Sequence, residues 1–363
     1  MIVDLDSHLR EGYFLDEVYR LEGALAQFTP QRAGAGRAHA TRFLHSLEPG
    51  DQNANAAFRH PYVYDPKNDP ELADRQKGGY DMERRRADAR REGIDKQVLF
   101  PTGINIATLN TGELGAALAR CYNDWVGRLV RGHEDVFLPC AAAPAGCPDR
   151  MAAELTRCVK EKGFKAGHLV SYCGPRNLDD PSFYDYYATA QELGVPLFAH
   201  PNSVGELTNR FDNFFKLHIA GRPNNCTTAL IALVAGGVFE KFPRLRVAFF
   251  ECSTEWLLYW MHRMDDDWEW AKRYAEETGG AALRMAPSEY IKRNCYVTCE
   301  ADERYLGNAV AELGADHISM ATDYPHFDSR FPETVAGIER RSDLTAQQKE
   351  MILGGTAAGL LAL

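Results

Sequence analysis

The stretch Val195-Pro196-Leu197-Phe198-Ala199-His200-Pro201 is apolar enough for a buried strand, ends in an imidazole and is stopped at once by a proline. That grammar puts the histidine at the C-terminal rim of a core strand. It recurs far away in the chain. Asp4-Leu5-Asp6-Ser7-His8 belongs to an N-terminal strand run, and Ile318-Ser319-Met320-Ala321-Thr322 leads into Asp323-Tyr324-Pro325-His326. Taken singly, His200 reads as a core histidine, Asp323 as a helix cap or Asx turn before Pro325, and Asp-x-His as the start of a loop. Taken together, three separate strands end in metal-competent residues. Carboxylates and imidazoles at the C-terminal ends of parallel strands are what a metal site on top of a (β/α)8 barrel needs.

Working outward, strand-like runs recur near 1–5, 96–100, 136–140, 166–170, 196–199, 246–250, 295–299 and 317–321. Helical spacing of apolar residues separates several of them, over 81–92, 112–131, 185–193, 227–241 and 255–274. Eight strands alternating with helices predict a closed parallel barrel, with a doubly wound open sheet as the competing architecture. A barrel of roughly 250 residues with insertions fits one continuous domain over 1–363. The insertions are residues 30–79, rich in Gly, Ala, Asn, Asp and Pro, after the first strand, and 202–225 after the fifth. Both are expected as loops over the C-terminal face, covering substrate or meeting another subunit.

Composition narrows the classes. Hydrophobic residues make up 45% and charged residues 25%, as in an ordinary soluble globular protein rather than a disordered one. A net charge of −10 argues against nucleic acid as a partner. An anionic substrate would need locally placed arginines. The nine cysteines include no C-x-x-C pair and read as reduced thiols. No apolar run reaches membrane-spanning length and no leader-like segment precedes the first strand, so a cytoplasmic protein away from membranes is expected.

The strand period of two sends Asp6 and His8 to one side, where they can share a cation, with Asp4 deeper as a support. Glu251 closes the sixth strand and should point at the same pocket, where it could shuttle protons. His168 and Glu300 end strands four and seven, and His326 is placed to hold Asp323 or a substrate group. Arg10 after the first strand and Arg222 in the fifth connection are candidates for gripping a substrate carboxylate through two parallel bonds.

These residues resemble the amidohydrolase superfamily, and within it the amidohydrolase-related family that contains aminocarboxymuconate semialdehyde decarboxylase and the dihydroxybenzoate decarboxylases. The similarity is carried by Asp81-Met82-Glu83-Arg84 through Arg91-Glu92-Gly93-Ile94-Asp95, by Gly237 through Leu245, and above all by Thr322-Asp323-Tyr324-Pro325-His326. The resemblance implies a distorted (β/α)8 TIM barrel of the metal-dependent hydrolase type, with one divalent metal, often zinc and sometimes manganese. It implies Asp6, His8, His200 and Asp323 as ligands and a homodimer or higher homo-oligomer. The sequence departs from the family twice: Asp6 stands where a histidine or glutamate is common, and Glu251 where a histidine often closes the sixth strand. Nonoxidative decarboxylation of a small aromatic or unsaturated carboxylic acid is the activity the resemblance favours, with Asp323 and Glu251 as the catalytic carboxylates. A hydrolase of an amide, lactone or carbon–carbon bond would use the same ligands, and an inactive ligand-binding member is the third reading.

Overall fold

The computed structural model describes residues 1–9, 70–102, 112–171, 173, 174, 176–201, 211, 214–274 and 283–363. Eight strands run β1 (Val3–His8), β2 (Lys96–Phe100), β3 (Phe137–Ala141), β4 (Ala166–Val170), β5 (Leu197–His200), β6 (Val247–Phe249), β7 (Cys295–Cys299) and β8 (Ile318–Met320). They form one sheet in sequence order, every neighbouring pair parallel. β8 and β1 close the ring. The His8 amide donates to Tyr324 O (2.6 Å) and the Asp323 amide to Asp6 O (3.0 Å), with a parallel bridge from Ser7 to Tyr324. This is the (β/α)8 barrel that the alternation predicts, and it excludes the open doubly wound sheet.

The helices are α1 (Pro70–Arg75), α2 (Met82–Glu92), α3 (Gly112–Leu129), α4 (Pro148–Lys162), α5 (Tyr184–Leu193), α6 (Phe214–Ala235), α7 (Val238–Lys241), α8 (Glu255–Ala271), α9 (Pro287–Asn294), α10 (Leu306–Leu313), α11 (Thr334–Glu339), α12 (Ala346–Glu350) and α13 (Thr356–Leu361). Local chemistry sets several ends. Asp81 caps α2 by accepting from the Arg84 amide (3.0 Å), and Gly93 ends it in the left-handed region at φ 80°. Pro148 opens α4, where its missing N–H costs nothing, and Gly163 closes it at φ 73°.

Alternation along the strands separates two cores. Val3, Leu5, Val98, Phe100, Phe198, Ala248 and Phe250 fill the barrel interior with Ala357, Leu360 and Leu361 of α13. Leu99, Leu197, Val247, Phe249, Val297 and Ile318 pack outward against the helical layer.

Two expectations are corrected. Residues 214–225, expected as loop, are the first half of α6, a 22-residue helix with Pro223 inside it. The predicted helix over 227–241 is therefore the end of α6 followed by α7, parted at Gly237 with φ 77°. Residues 70–79, assigned to the first insertion, are also helical: α1 followed by a 3-10 turn over Gln76–Gly79. The remainder of both insertions, 30–69 and most of 202–213, lies outside the described residues.

The N-terminal strand does not keep a strict period. Its register shifts between Asp4 and Ser7. Asp4 is fully buried away from the metal-competent residues, accepting from Gln97 Nε2 (2.9 Å), Thr322 N (3.0 Å) and Thr322 Oγ1 (2.6 Å). It ties β1 to β2 and to the segment after β8, as a support for the site should.

Candidate metal centre

At the C-terminal rim the side chains from β1, β5, β6 and β8 converge. His8 Nε2 lies 3.3 Å from Asp6 Oδ1, 3.2 Å from Asp323 Oδ1, 3.6 Å from Glu251 Oε1 and 3.2 Å from His200 Nε2. His200 Nε2 is 3.3 Å from Glu251 Oε1 and 3.8 Å from Asp6 Oδ2. Asp6, His8 and His200 are buried. Glu251 and Asp323 reach the centre from backbones with φ of 55° and 54°, a left-handed conformation that L-residues seldom adopt.

The outer face of each imidazole fixes the inner one. His8 Nδ1 is 3.2 Å from Pro101 O and His200 Nδ1 is 2.8 Å from Pro201 O. A carbonyl only accepts, so each Nδ1 carries a proton, and the Nε2 lone pairs of neutral rings face each other across the centre. Two lone pairs and several carboxylate oxygens need a cation between them. The oxygens say the same: both of Asp6, Oε1 of Glu251 and Oδ1 of Asp323 are buried and find no hydrogen-bond partner among the described residues. The donor set of carboxylates and imidazoles fits zinc or manganese.

The amidohydrolase family profile matches residues 37–363. The chain belongs to the amidohydrolase family. This amidohydrolase is 26% identical over 289 residues to the 2-amino-3-carboxymuconate-6-semialdehyde decarboxylase of Dictyostelium discoideum, covering 78% of this chain and 77% of that one. It is 29% identical over 244 residues to the gamma-resorcylate decarboxylase of a Polaromonas species, covering 64% and 73%. Among solved structures, the 5-carboxyvanillate decarboxylase of Sphingomonas paucimobilis superposes with a TM-score of 0.76 at 20% identity, over 100% of this chain and 99% of that one. A Polaromonas dihydroxybenzoic acid decarboxylase with bound manganese and 2-nitroresorcinol gives 0.72 at 23%, over 100% and 97%. The structural likenesses show the shared TIM barrel, and the family match makes the chain an amidohydrolase-type enzyme.

Electrostatics in the amidohydrolase follow from burial against charge. Burial pushes the His8 imidazole down, but Asp6 and Glu251 outweigh it and raise it to about 10: the carboxylates draw positive charge to Nε2, as a proton or as a cation that takes the proton's place on the neutral ring. Burial raises the Glu251 carboxyl, while Arg222 and His200 override it and hold Glu251 well below the usual range. Asp323 moves the other way: burial, then repulsion from Glu251, push it well above the range of a carboxylate. Burial, and then His8, hold His326 well below an ordinary histidine.

The remaining expected residues separate clearly. His326 stands in the cluster, with Nδ1 2.6 Å from Asp323 Oδ1 and its ring stacked on His8 at 4.1 Å between centroids. Its Nε2 is 3.3 Å from Thr102 Oγ1, which donates to Leu9 O at 2.8 Å. Arg222 also reaches the site, from α6: Nε is 3.0 Å from Glu251 Oε2 and Nη1 is 3.2 Å from Asp328 Oδ2. His168 lies below the rim on β4, fully buried, its ring centroid 6.3 Å from that of His200 and neither ring nitrogen bonded among the described residues. Arg10 lies outside the described residues.

Sequence reasoning passed over Asp328 and His218, which complete the Arg222 network through a 3.1 Å contact. His218 stands one helical turn before Arg222, a spacing visible only once 214–225 is drawn as helix. A cleft beside the centre is lined by Asp6, Glu251, Glu300, Asp323, Asp328 and Arg330.

Proposed function

We propose that this amidohydrolase is a metal-dependent nonoxidative decarboxylase of a small aromatic or unsaturated carboxylic acid. The observation that carries the reading is the meeting of Asp6, His200 and Asp323 at His8 Nε2, at 3.3, 3.2 and 3.2 Å, with inward-facing imidazole lone pairs and carboxylate oxygens that find no hydrogen-bond partner among the described residues. Relatives named as decarboxylases of such acids support it. Asp6, His8, His200 and Asp323 would hold one divalent ion, zinc or manganese, which supplies electrostatic stabilisation to oxygens that gain negative charge.

The chain's own residues supply the proton. Thr102 gives its hydroxyl proton to Leu9 O and accepts from His326 Nε2–H, so a neutral His326 turns the Nδ1 lone pair toward Asp323. His326 Nδ1 stands 2.6 Å from Asp323 Oδ1, so one proton shared between imidazole and carboxylate would give the pair a proton to deliver. The Asp323–His326 pair is the proton source for the carbon that loses carbon dioxide. Glu251, held ionised by Arg222, suits that task less well than the sequence suggested. Arg10 and His168 remain proposed substrate contacts, and Arg222 acts through Glu251.

The reading extends to a cytoplasmic homodimer or higher oligomer. Tyr259 and Trp270 of α8 are 62% and 52% exposed, and aromatic residues are enriched at subunit interfaces. Among the described residues no helix is long and apolar enough to cross a membrane. Incubation of metal-loaded protein with hydroxybenzoic and unsaturated acids in deuterated water tests the reaction. Release of carbon dioxide with deuterium at the vacated carbon is expected. Oxygen from solvent in the product, without carbon dioxide, would make the enzyme a hydrolase.

A further inference from the structure

The two oxygens of Glu251 have opposite surroundings. Oε2 is 3.0 Å from Arg222 Nε, whereas Oε1 is buried, has no hydrogen-bond partner among the described residues and lies 3.3 Å from His200 Nε2 and 3.6 Å from His8 Nε2. We infer that Glu251 Oε1 is an additional protein ligand of the metal that Asp6, His8, His200 and Asp323 hold, and that Arg222 is the positioning residue that aims it. The inference rests on the metal-centre reading above.

Spacing is the first argument. Donors bound about 2.0–2.2 Å from one ion sit roughly 3–3.5 Å from their neighbours in the coordination sphere. The distance from Oε1 to His200 Nε2, 3.3 Å, falls in that range beside 3.3 Å for Asp6 Oδ1 and 3.2 Å for Asp323 Oδ1, both measured to His8 Nε2. One atom each from Asp6, His8, His200 and Glu251 lies within 4.8 Å of all the others. By this measure Glu251 belongs to the group as fully as Asp6, His8 and His200, and it also stands in a second such group with His8, Asp323 and His326.

The second argument is the anchoring. Arg222 is itself fixed by Asp328 Oδ2 at 3.2 Å, and the same oxygen is 3.1 Å from His218 Nε2. A guanidinium held on one carboxylate and bonded to Oε2 of another fixes the rotation of the Glu251 carboxylate and turns Oε1 inward. Glu251 emerges with φ 55° and Ser253 with φ 59°, so the chain turns tightly just where β6 ends. Arg222 is thereby occupied with two protein carboxylates rather than held in reserve for a substrate. The resulting set, three carboxylates and two imidazoles, is richer in oxygen than one without Glu251 and shifts preference toward manganese over zinc.

The test is metal affinity, read without any substrate. Apoprotein is titrated with Mn2+, free ion being counted by electron paramagnetic resonance, for wild type, Glu251→Gln, Glu251→Asp, Arg222→Met, Arg222→Lys and His200→Ala, each checked for folding by circular dichroism. Wild type should bind about one equivalent. Glu251→Gln and Glu251→Asp should each weaken binding at least about tenfold, and Arg222→Met by about 10-fold to 100-fold, with partial recovery in Arg222→Lys. Wild-type affinity in folded Glu251→Gln and Glu251→Asp, while His200→Ala fails to bind, would overturn the role of Glu251 and leave the metal centre standing. No binding of Mn2+ or Zn2+ by wild type would overturn both.

Discussion

Arg85 Nη1 donates to the carbonyl of His8 at 2.8 Å, so a fully buried guanidinium holds the backbone of the residue whose side chain lies at the heart of the candidate metal centre. The same nitrogen donates to Gly78 O (2.9 Å), Nε donates to Gln97 Oε1 (3.1 Å), and the guanidinium lies 5.0 Å from the Tyr324 ring centroid. Gln97 passes the link to Asp4, and Asp4 to Thr322. Removing one member of a buried charged network costs about 3–5 kcal/mol. Arg85→Met should therefore destabilise the fold by about that much in urea unfolding and weaken metal binding without touching a ligand. Unchanged stability would show the network to be dispensable.

Glu303 gives the fold a pH dependence. It is buried against Thr254, accepting from its amide (3.0 Å) and hydroxyl (2.6 Å), and burial dominates these bonds, raising its carboxyl to about 7. Because the folded value lies above the unfolded one, the stabilisation is fully present below about pH 4.3 and is lost as pH rises toward 7. Asp4 is shifted in the same direction to about 7, chiefly by burial. Thermal unfolding of apoprotein should show a midpoint that falls between pH 5 and pH 8. Glu303→Gln should flatten that fall, and an unaltered slope would exclude Glu303 as its source.

Gly167 on β4 has no room for a methyl group. A Cβ there would stand 2.6 Å from Tyr186 Oη and 2.9 Å from Leu197 Cδ2. Tyr186 Oη donates to His168 O at 2.8 Å, so the intrusion would also disturb the strand that carries His168. Gly167→Ala should cost about 1–3 kcal/mol in chemical denaturation. Wild-type stability would mean that the tyrosine moves aside freely.

None of the nine cysteines forms a disulfide, and only Cys121 and Cys252 are more than slightly exposed. Burial, then the neighbouring Cys226 thiol, push Cys252 well above an ordinary thiol, which starves it of reactive thiolate. A thiol-reactive dye at pH 8 should label Cys121 first in native protein and all nine cysteines after denaturation. Rapid native labelling of the buried cysteines would contradict the packing.

How much of this was legible in the sequence depended on the kind of burial. The strands Lys96–Phe100, Ala166–Val170 and Cys295–Cys299 have the bounds that their apolar runs suggest, because turn or helix signals bracket each run. His8, His200 and Asp323 were found because each stands at such a run's end. The first half of α6 was missed because Pro223-Asn224-Asn225 looks like loop chemistry, yet Pro223 stands inside the helix. The shift between Asp4 and Ser7 leaves no trace in a two-residue pattern. The pairing of Arg222 with Glu251 joins residues on α6 and at the end of β6, and only the folded barrel brings them together. That contact is the ground for proposing Glu251 as a fixed carboxylate rather than the proton donor.

The most direct test of the account is the metal content of purified wild-type protein beside His200→Ala and Asp323→Ala, by plasma mass spectrometry. About one equivalent of manganese or zinc in wild type, lost in both variants, is the predicted result. Wild type that neither carries nor takes up either metal would contradict it.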